Sequence, residues 1–188
     1  VGCQSLLSVE ISSLEITLED NCFDSAKEIQ SFTLISEKMH IRSNCFKDCT
    51  SLTTIKIDSS ENISISTKTF EDCKALRTIC LKSKDSIIID KESFKQFNEL
   101  YEVNIKSKKV TLCDESFTES NKLHSVKIDC EEINIFTSCF KNCKNLSSIT
   151  INATKKINIM GEAFYYCNSL SEFKITSTTV SQTPDRCR

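Results

Sequence analysis

A phenylalanine returns along this chain at Phe23, Phe46, Phe70, Phe94, Phe117, Phe140 and Phe164, always at steps of 23 or 24 residues. A period in this range marks a stacked solenoid, because so short a unit cannot bury its apolar side alone and must bury it against its neighbours. The remaining apolar positions keep register with the Phe. Six residues on stand Ile29, Leu52, Leu76, Leu100, Leu123, Leu146 and Leu170. Nine and eleven residues on stand pairs such as Ile55/Ile57, Val103/Ile105 and Phe173/Ile175. A second alternating pair precedes each Phe by seven and five, as in Met39/Ile41, Ile63/Ile65 and Ile133/Ile135.

Each unit therefore holds two period-two segments and one compact segment. Alternation in Thr54-Ile55-Lys56-Ile57-Asp58 places Ile55 and Ile57 on one face and their polar neighbours on the other. Between the second pair and the next first pair, Phe46, Cys49 and Leu52 fall at steps of three, which predicts one or two helical turns. The expected fold is a repeat solenoid of leucine-rich-repeat-like α/β type, with two short parallel β-ladders and a brief helical turn per ~23-residue unit, stacked ~4.8 Å apart. Read as a single domain, the chain divides into a partial first unit over 1–15, about seven repeats over 16–179 and an incomplete unit over 180–188. Neither end shows an obvious cap, which suggests a longer array or end-to-end self-stacking.

The run Phe46-Lys47-Asp48-Cys49-Thr50-Ser51-Leu52-Thr53-Thr54-Ile55-Lys56-Ile57 resembles the BspA-like type of leucine-rich repeat, with its phenylalanine–cysteine signature. Phe140 to Ile151, Phe70 to Leu81 and Phe164 to Ile175 match the same pattern. Where many such repeats carry Pro and Gly in their turns, this chain has one Pro and two Gly. Its Ser/Lys/Ile-rich style is similar to versions from parasitic protists such as trichomonads. The resemblance implies a non-catalytic module that binds host matrix, cell-surface proteins or glycoproteins.

Composition narrows the function classes. The 24 basic and 26 acidic residues are interspersed along the sequence, which argues against nucleic acid or an anionic membrane as partner. No apolar run reaches the ~18–20 residues that span a bilayer, and the residues from Val1 onward do not read as a basic–apolar leader. Only two histidines, His40 and His124, are present, in different units and at different repeat positions, and both read as exposed polar residues. Gly2 and Gly161 stand alone, so there is no phosphate-cradling loop. No cofactor, metal site or catalytic constellation is expected.

Twelve cysteines invite a disulfide or zinc reading. By register Cys3, Cys49, Cys73, Cys143 and Cys167 take the position three after the Phe, where Ala26, Phe97 and Ser120 stand elsewhere. Cys22, Cys45 and Cys139 precede the Phe. Positions tolerant of Ala, Ser or Phe call for a packing residue, and a reduced Cys suits one. Adjacent-rung disulfides at Cys49/Cys73 and Cys143/Cys167 stay open, and Cys45/Cys49 and Cys139/Cys143 lack the paired spacing of zinc modules. Cys80, Cys113 and Cys130 fall outside the buried register, and Cys80 is the best candidate for an outward, reactive thiol.

The outward positions of the ladders supply the candidate contact face: Lys56, Cys80, Glu102, Asn104, Lys127, Glu172 and Lys174 on the first, and Phe136 and Met160 on the second. Ser and Thr ladders are otherwise what a solvated sheet face looks like. Ile88, Phe136 and Met160 are apolar where exposure is predicted, and such departures mark contact sites. Asn62, Asn145 and Asn152 match the glycosylation acceptor pattern. Two functions follow. One is a cell-surface or secreted adhesion module for a protein or glycoprotein. The other is an intracellular scaffold of a cytoskeletal assembly, consistent with reduced core cysteines.

Overall fold

Alternating apolar and polar residues extend the chain into strands whose apolar face must be covered, and stacking identical units covers it on both sides. The computed structural model describes residues 5–182, which form twelve strands of one continuous parallel sheet wound as a solenoid. The first ladder joins β1 (Ser8–Leu18), β2 (Ser31–Ile41), β3 (Thr54–Ser59), β5 (Thr78–Ser83), β7 (Glu102–Lys106), β9 (Ser125–Ile135), β10 (Ser148–Ile159) and β11 (Glu172–Thr176). The second contains β4 (Ile63–Ile65), β6 (Ser86–Ile89), β8 (Lys109–Leu112) and β12 (Thr179–Gln182), with the distal halves of the long strands β1, β2, β9 and β10. The position assigned to Cys3 lies outside the described residues.

The inward columns of the first ladder form as the repeat predicts. Ile55 pairs with Ile79, Ile79 with Val103 and Val103 with Val126, one rung after another. The phenylalanines make a continuous stack, with centroids 5.0 Å apart at Phe46–Phe70 and 5.2 Å at Phe117–Phe140, and ring planes within 7° in both pairs. Offset stacking of this kind adds about 0.5–1.5 kcal/mol per pair beyond burial. Phe23, Leu170 and Ile175, in the outermost rungs, are only half-buried, and the inward-register Phe173 and Val180 are 43% and 47% exposed, because one side of their rung is uncovered.

The segment around each Phe is not a helical turn, and the described residues contain no helix. Residues two before and two after the Phe take left-handed backbone in every unit but that of Phe70, where only Asp72 does: Asn44 and Asp48 at φ 56° and 55°, Ser138 and Asn142 at 55° and 60°. These residues costing about 1–2 kcal/mol each in that conformation are repaid in hydrogen bonds between rungs. The N–H groups of Asn21, Phe23 and Ser25 donate to the carbonyls of Ser43, Cys45 and Lys47, while those of Cys22, Asp24 and Ala26 turn back to residues three earlier. A helix would send every N–H back along its own chain and leave none for the neighbour. Successive three-residue turns still bring Phe46, Cys49 and Leu52 inward, which is why their spacing mimics a helix.

The 24-residue steps also have one structural cause. Each extra residue falls at the corner between the two strands, over 57–63, 81–87 and 151–157. In β10 it is absorbed as a bulge between Ala153 and Lys156. At the first such corner the second ladder splits. The Ser66 N–H, which by repeat would reach the Ile41 carbonyl, instead donates to Thr69 Oγ1 at 3.2 Å, and no strand pairing joins β2 to β4 among the described residues. A cleft of about 570 Å³, lined by Thr17, His40, Arg42, Asn62 and Ser64 among others, occupies the split.

Candidate functional site

The outward row of the first ladder is built by register alone. Lys56 pairs with Cys80, Cys80 with Asn104, and Asn104 with Lys127; the row continues through Thr150 to Lys174. Lys56, Cys80, Asn104 and Lys127 line one shallow depression of about 270 Å³, rimmed by Asp58, Lys82, Lys106 and Asp129. Cys80 is half-buried at its centre. Lys82 Nζ pairs with Asp58 at 2.6 Å, and the Asn104 amide donates to Glu102 Oε1 at 2.9 Å. Glu172 lies on the same row as Glu102, through Ser125 and Ser148, and accepts the Ser148 hydroxyl at 2.9 Å.

Phe136 and Met160 do not join this group. They sit at the far end of the second ladder, do not line that depression, and are half-buried rather than exposed. The rung before Phe136 places half-buried Cys113 in their column, and its thiol is pushed up from its usual value by burial. Ile88 is exposed at 38%, as its register predicts.

The thiols are more than filler. Cys49, Cys73, Cys143 and Cys167 each direct Sγ to the carbonyl of the Phe one rung earlier, at 2.9–3.2 Å, and Ser120 Oγ makes the same bond at 2.9 Å. Cys49, Cys73 and Cys143 are free thiols in this arrangement, not disulfides. Two other expectations are corrected. Cys130 is buried, because its corner position points inward. Cys22 is exposed: residues at this position are covered by the preceding rung, as Cys45 is by Leu18 and Glu19, and Cys22 belongs to the first Phe turn.

A second group was missed in the sequence. Tyr101 and His124 both stand seven after a Phe, on adjacent rungs, and their rings stack at 5.1 Å and 11°. Both are exposed, as read for His124 and for His40 from the sequence. They line a depression of about 410 Å³ with Lys122, Asn145, Ser147 and Ser169, immediately before the strands that carry Glu102 and Ser125. The Ser147 hydroxyl lies 3.2 Å from the imidazole nitrogens, yet among the described residues no carboxylate contacts His124. A solvated Ser–His contact without an orienting third group lacks the elements of nucleophilic catalysis. No group of three or more His, Cys, Asp or Glu among the described residues is arranged to hold a metal, and no helix is long and apolar enough to cross a membrane.

Two parallel ladders around a phenylalanine stack form a β-solenoid whose ~23-residue unit lies in the period range of leucine-rich repeats. A family model described as the BspA type leucine rich repeat region matches residues 1–88 and 63–187, in six copies, and the chain belongs to that family. A crystal structure of a leucine-rich repeat protein from Bacteroides ovatus aligns with a TM-score of 0.43 and 19% identity, covering 94% of this chain and 69% of that one. A search of curated proteins finds no match. Repeats of this family point to a protein-interaction module.

Proposed function

We propose that this solenoid is a non-catalytic recognition module of a surface-borne or secreted protein, and that it holds a protein or glycoprotein ligand against the outward face of the first ladder. The observation that carries the reading is the exposed Tyr101–His124 stack beside a rigid polar row. Aromatic groups held in one geometry are the anchors that dominate protein interfaces, while surrounding polar groups set register and selectivity. Tyr101 and His124 would provide the anchor. Lys56, Asn104, Lys127 and Lys174 with Glu102 and Glu172 would select the partner, and half-buried Cys80 would give the face a less polar centre. Phe136 and Met160, half-buried on the other ladder, lie outside this face.

The test is binding of a panel of immobilised extracellular-matrix glycoproteins by wild type, Tyr101→Ala and Phe136→Ala. The proposal expects at least one ligand whose affinity falls about tenfold or more with Tyr101→Ala, on the scale of an interface anchor, and is unaffected by Phe136→Ala. Binding that ignores Tyr101→Ala and the row residues removes this face from consideration.

A second reading, an intracellular scaffold, draws on the hydrogen-bonded free thiols in the core, which suit a reducing compartment. Intact mass of protein from its native source separates the two. Glycan on Asn62 or Asn145, both exposed, places it on the secretory route, whereas twelve alkylatable cysteines and no glycan favour the scaffold. Asn152 is the poorer acceptor, since its amide is engaged with Asp129 Oδ1 at 2.8 Å.

A further inference from the structure

The corner between the two ladders gathers lysines that the sequence keeps apart. Lys82-Ser83-Lys84 and Lys106-Ser107-Lys108 occupy the same place on adjacent rungs. In each, the central serine is buried and tied to the preceding rung: Ser83 Oγ donates to the Glu61 carbonyl at 2.6 Å, and Ser107 Oγ to the Asp85 carbonyl at 3.1 Å. With the serine held inward, the flanking lysines are turned out, and all four are exposed. Rungs stand ~4.8 Å apart and alternate residues ~6.7 Å, so four cationic side chains rise from a patch smaller than a disaccharide's span.

These lysines line a depression of about 590 Å³, together with Asp129, Glu131, Asn152 and Thr154. Its acidic members are already engaged: Glu131 pairs with Lys155 at 2.7 Å, and Asp129 accepts the Asn152 amide. Among the four lysines only Lys82 has an ion-pair partner among the described residues, Asp58. The depression adjoins the shallower one on the first ladder, with which it shares Lys82, Lys106 and Asp129, and Lys56 and Lys127 extend the positive surface there. This local excess arises on a chain whose formal net charge is −2.

We propose that this corner binds a sulfated glycan chain. The geometry offers several closely spaced ammonium groups, with the hydroxyl of Thr154 for sugar hydroxyls. It offers no exposed aromatic or aliphatic side chain of the kind a polypeptide partner uses as an anchor. Sulfate esters keep their charge across the physiological pH range, and a stiff polyanion engages neighbouring lysines together, so binding weakens as salt screens them. The corner adjoins the first-ladder row, but none of its four lysines lines the Tyr101–His124 depression, so its binding does not depend on that stack.

The test measures binding of a fluorescent, fully sulfated heparin octasaccharide at ~50 and ~150 mM salt, spanning a Debye length of roughly 14 down to 8 Å. The comparison probes are its desulfated form and a polyglutamate peptide of equal charge. The variants are Lys82→Gln/Lys84→Gln/Lys106→Gln/Lys108→Gln, and a control, Lys27→Gln/Lys38→Gln/Lys68→Gln/Lys144→Gln, with the same change of charge elsewhere. The proposal expects wild type to prefer the sulfated octasaccharide over both other probes, with affinity falling as salt rises. It also expects a loss of about tenfold or more in the corner variant only. Absent binding, equal loss in both variants, or preference for polyglutamate overturns it. Because Tyr101→Ala leaves the corner intact, failure here and failure of the protein-binding face are read independently.

Discussion

The thiol of Cys73 donates to the carbonyl of Phe46, one rung earlier, at 2.9 Å. That carbonyl also accepts the N–H of Cys49 within its own turn. The thiol is thus a strut between rungs, which Ser120 reproduces with its hydroxyl toward Phe94. Cys73→Ser should therefore be milder than Cys73→Ala. Losing a buried hydrogen bond and a small packing volume costs about 1–2 kcal/mol for Ala, with less than about 1 kcal/mol for Ser. Urea midpoints decide it. An alanine variant at least as stable as the serine variant would return this position to simple packing.

Phe94 is fully buried between Phe70 and Phe117, at 5.9 and 5.3 Å, with Phe97 against its edge at 5.4 Å. Phe94→Ala removes a ring from the middle of the stack and leaves a cavity that two rungs must tolerate. The expected loss is about 2–5 kcal/mol, and Leu100→Ala, equally buried, should fall in the same range. Denaturant unfolding of both variants tests this. A loss within ~0.5 kcal/mol, the scale of a surface change, would show that these side chains do not plug the rungs.

Inward columns were legible in the sequence because burial leaves a period-two or fixed-offset record in residue type. The backbone of the Phe turn was not, because left-handed residues such as Glu92, Gln96 and Glu115 carry no glycine signature and their handedness appears only in bonds to the next rung. The Lys82–Lys108 corner and the Tyr101–His124 stack were hidden for a related reason. Their members are about 23 residues apart and polar, and only lining up every repeat position, not just the apolar ones, places them side by side. The split between β2 and β4 did leave a trace, the change from a five- to a six-residue corner between Leu34–Met39 and Ile57–Ile63, but length alone does not say whether a bulge or a gap absorbs it.

Corner serines should matter more than their exposed neighbours. The Ser83 hydroxyl accepts the Asp85 N–H at 2.9 Å while donating to the Glu61 carbonyl, whereas among the described residues the Ser107 hydroxyl makes only the bond to the Asp85 carbonyl. Ser83→Ala should cost about 1 kcal/mol or more by stranding a part-buried donor and acceptor, and Ser107→Ala measurably less. Thermal or urea unfolding ranks them. Equal, near-zero effects would mean that water replaces both bonds and that the lysines are not held outward by the serines.

Buried thiols give the protein a stability limit at alkaline pH. Burial pushes Cys45 up to about 11, against backbone hydrogen bonds that pull it down, and pushes Cys130 up to about 12 with help from Asp129. Unfolded, each would ionise near 9. Between those values the unfolded chain holds fewer protons than the folded one, so folding stability is intact below about pH 8.5 and falls as pH rises toward the folded-state values. Lysines also titrate in this range, so the informative quantity is the difference between wild type and Cys130→Ser. The serine variant, which cannot ionise at that site, should lose less stability between pH 8.5 and 10, as read from urea midpoints. Parallel losses in the two proteins would show that Cys130 titrates alike folded and unfolded, and that its corner is open to water.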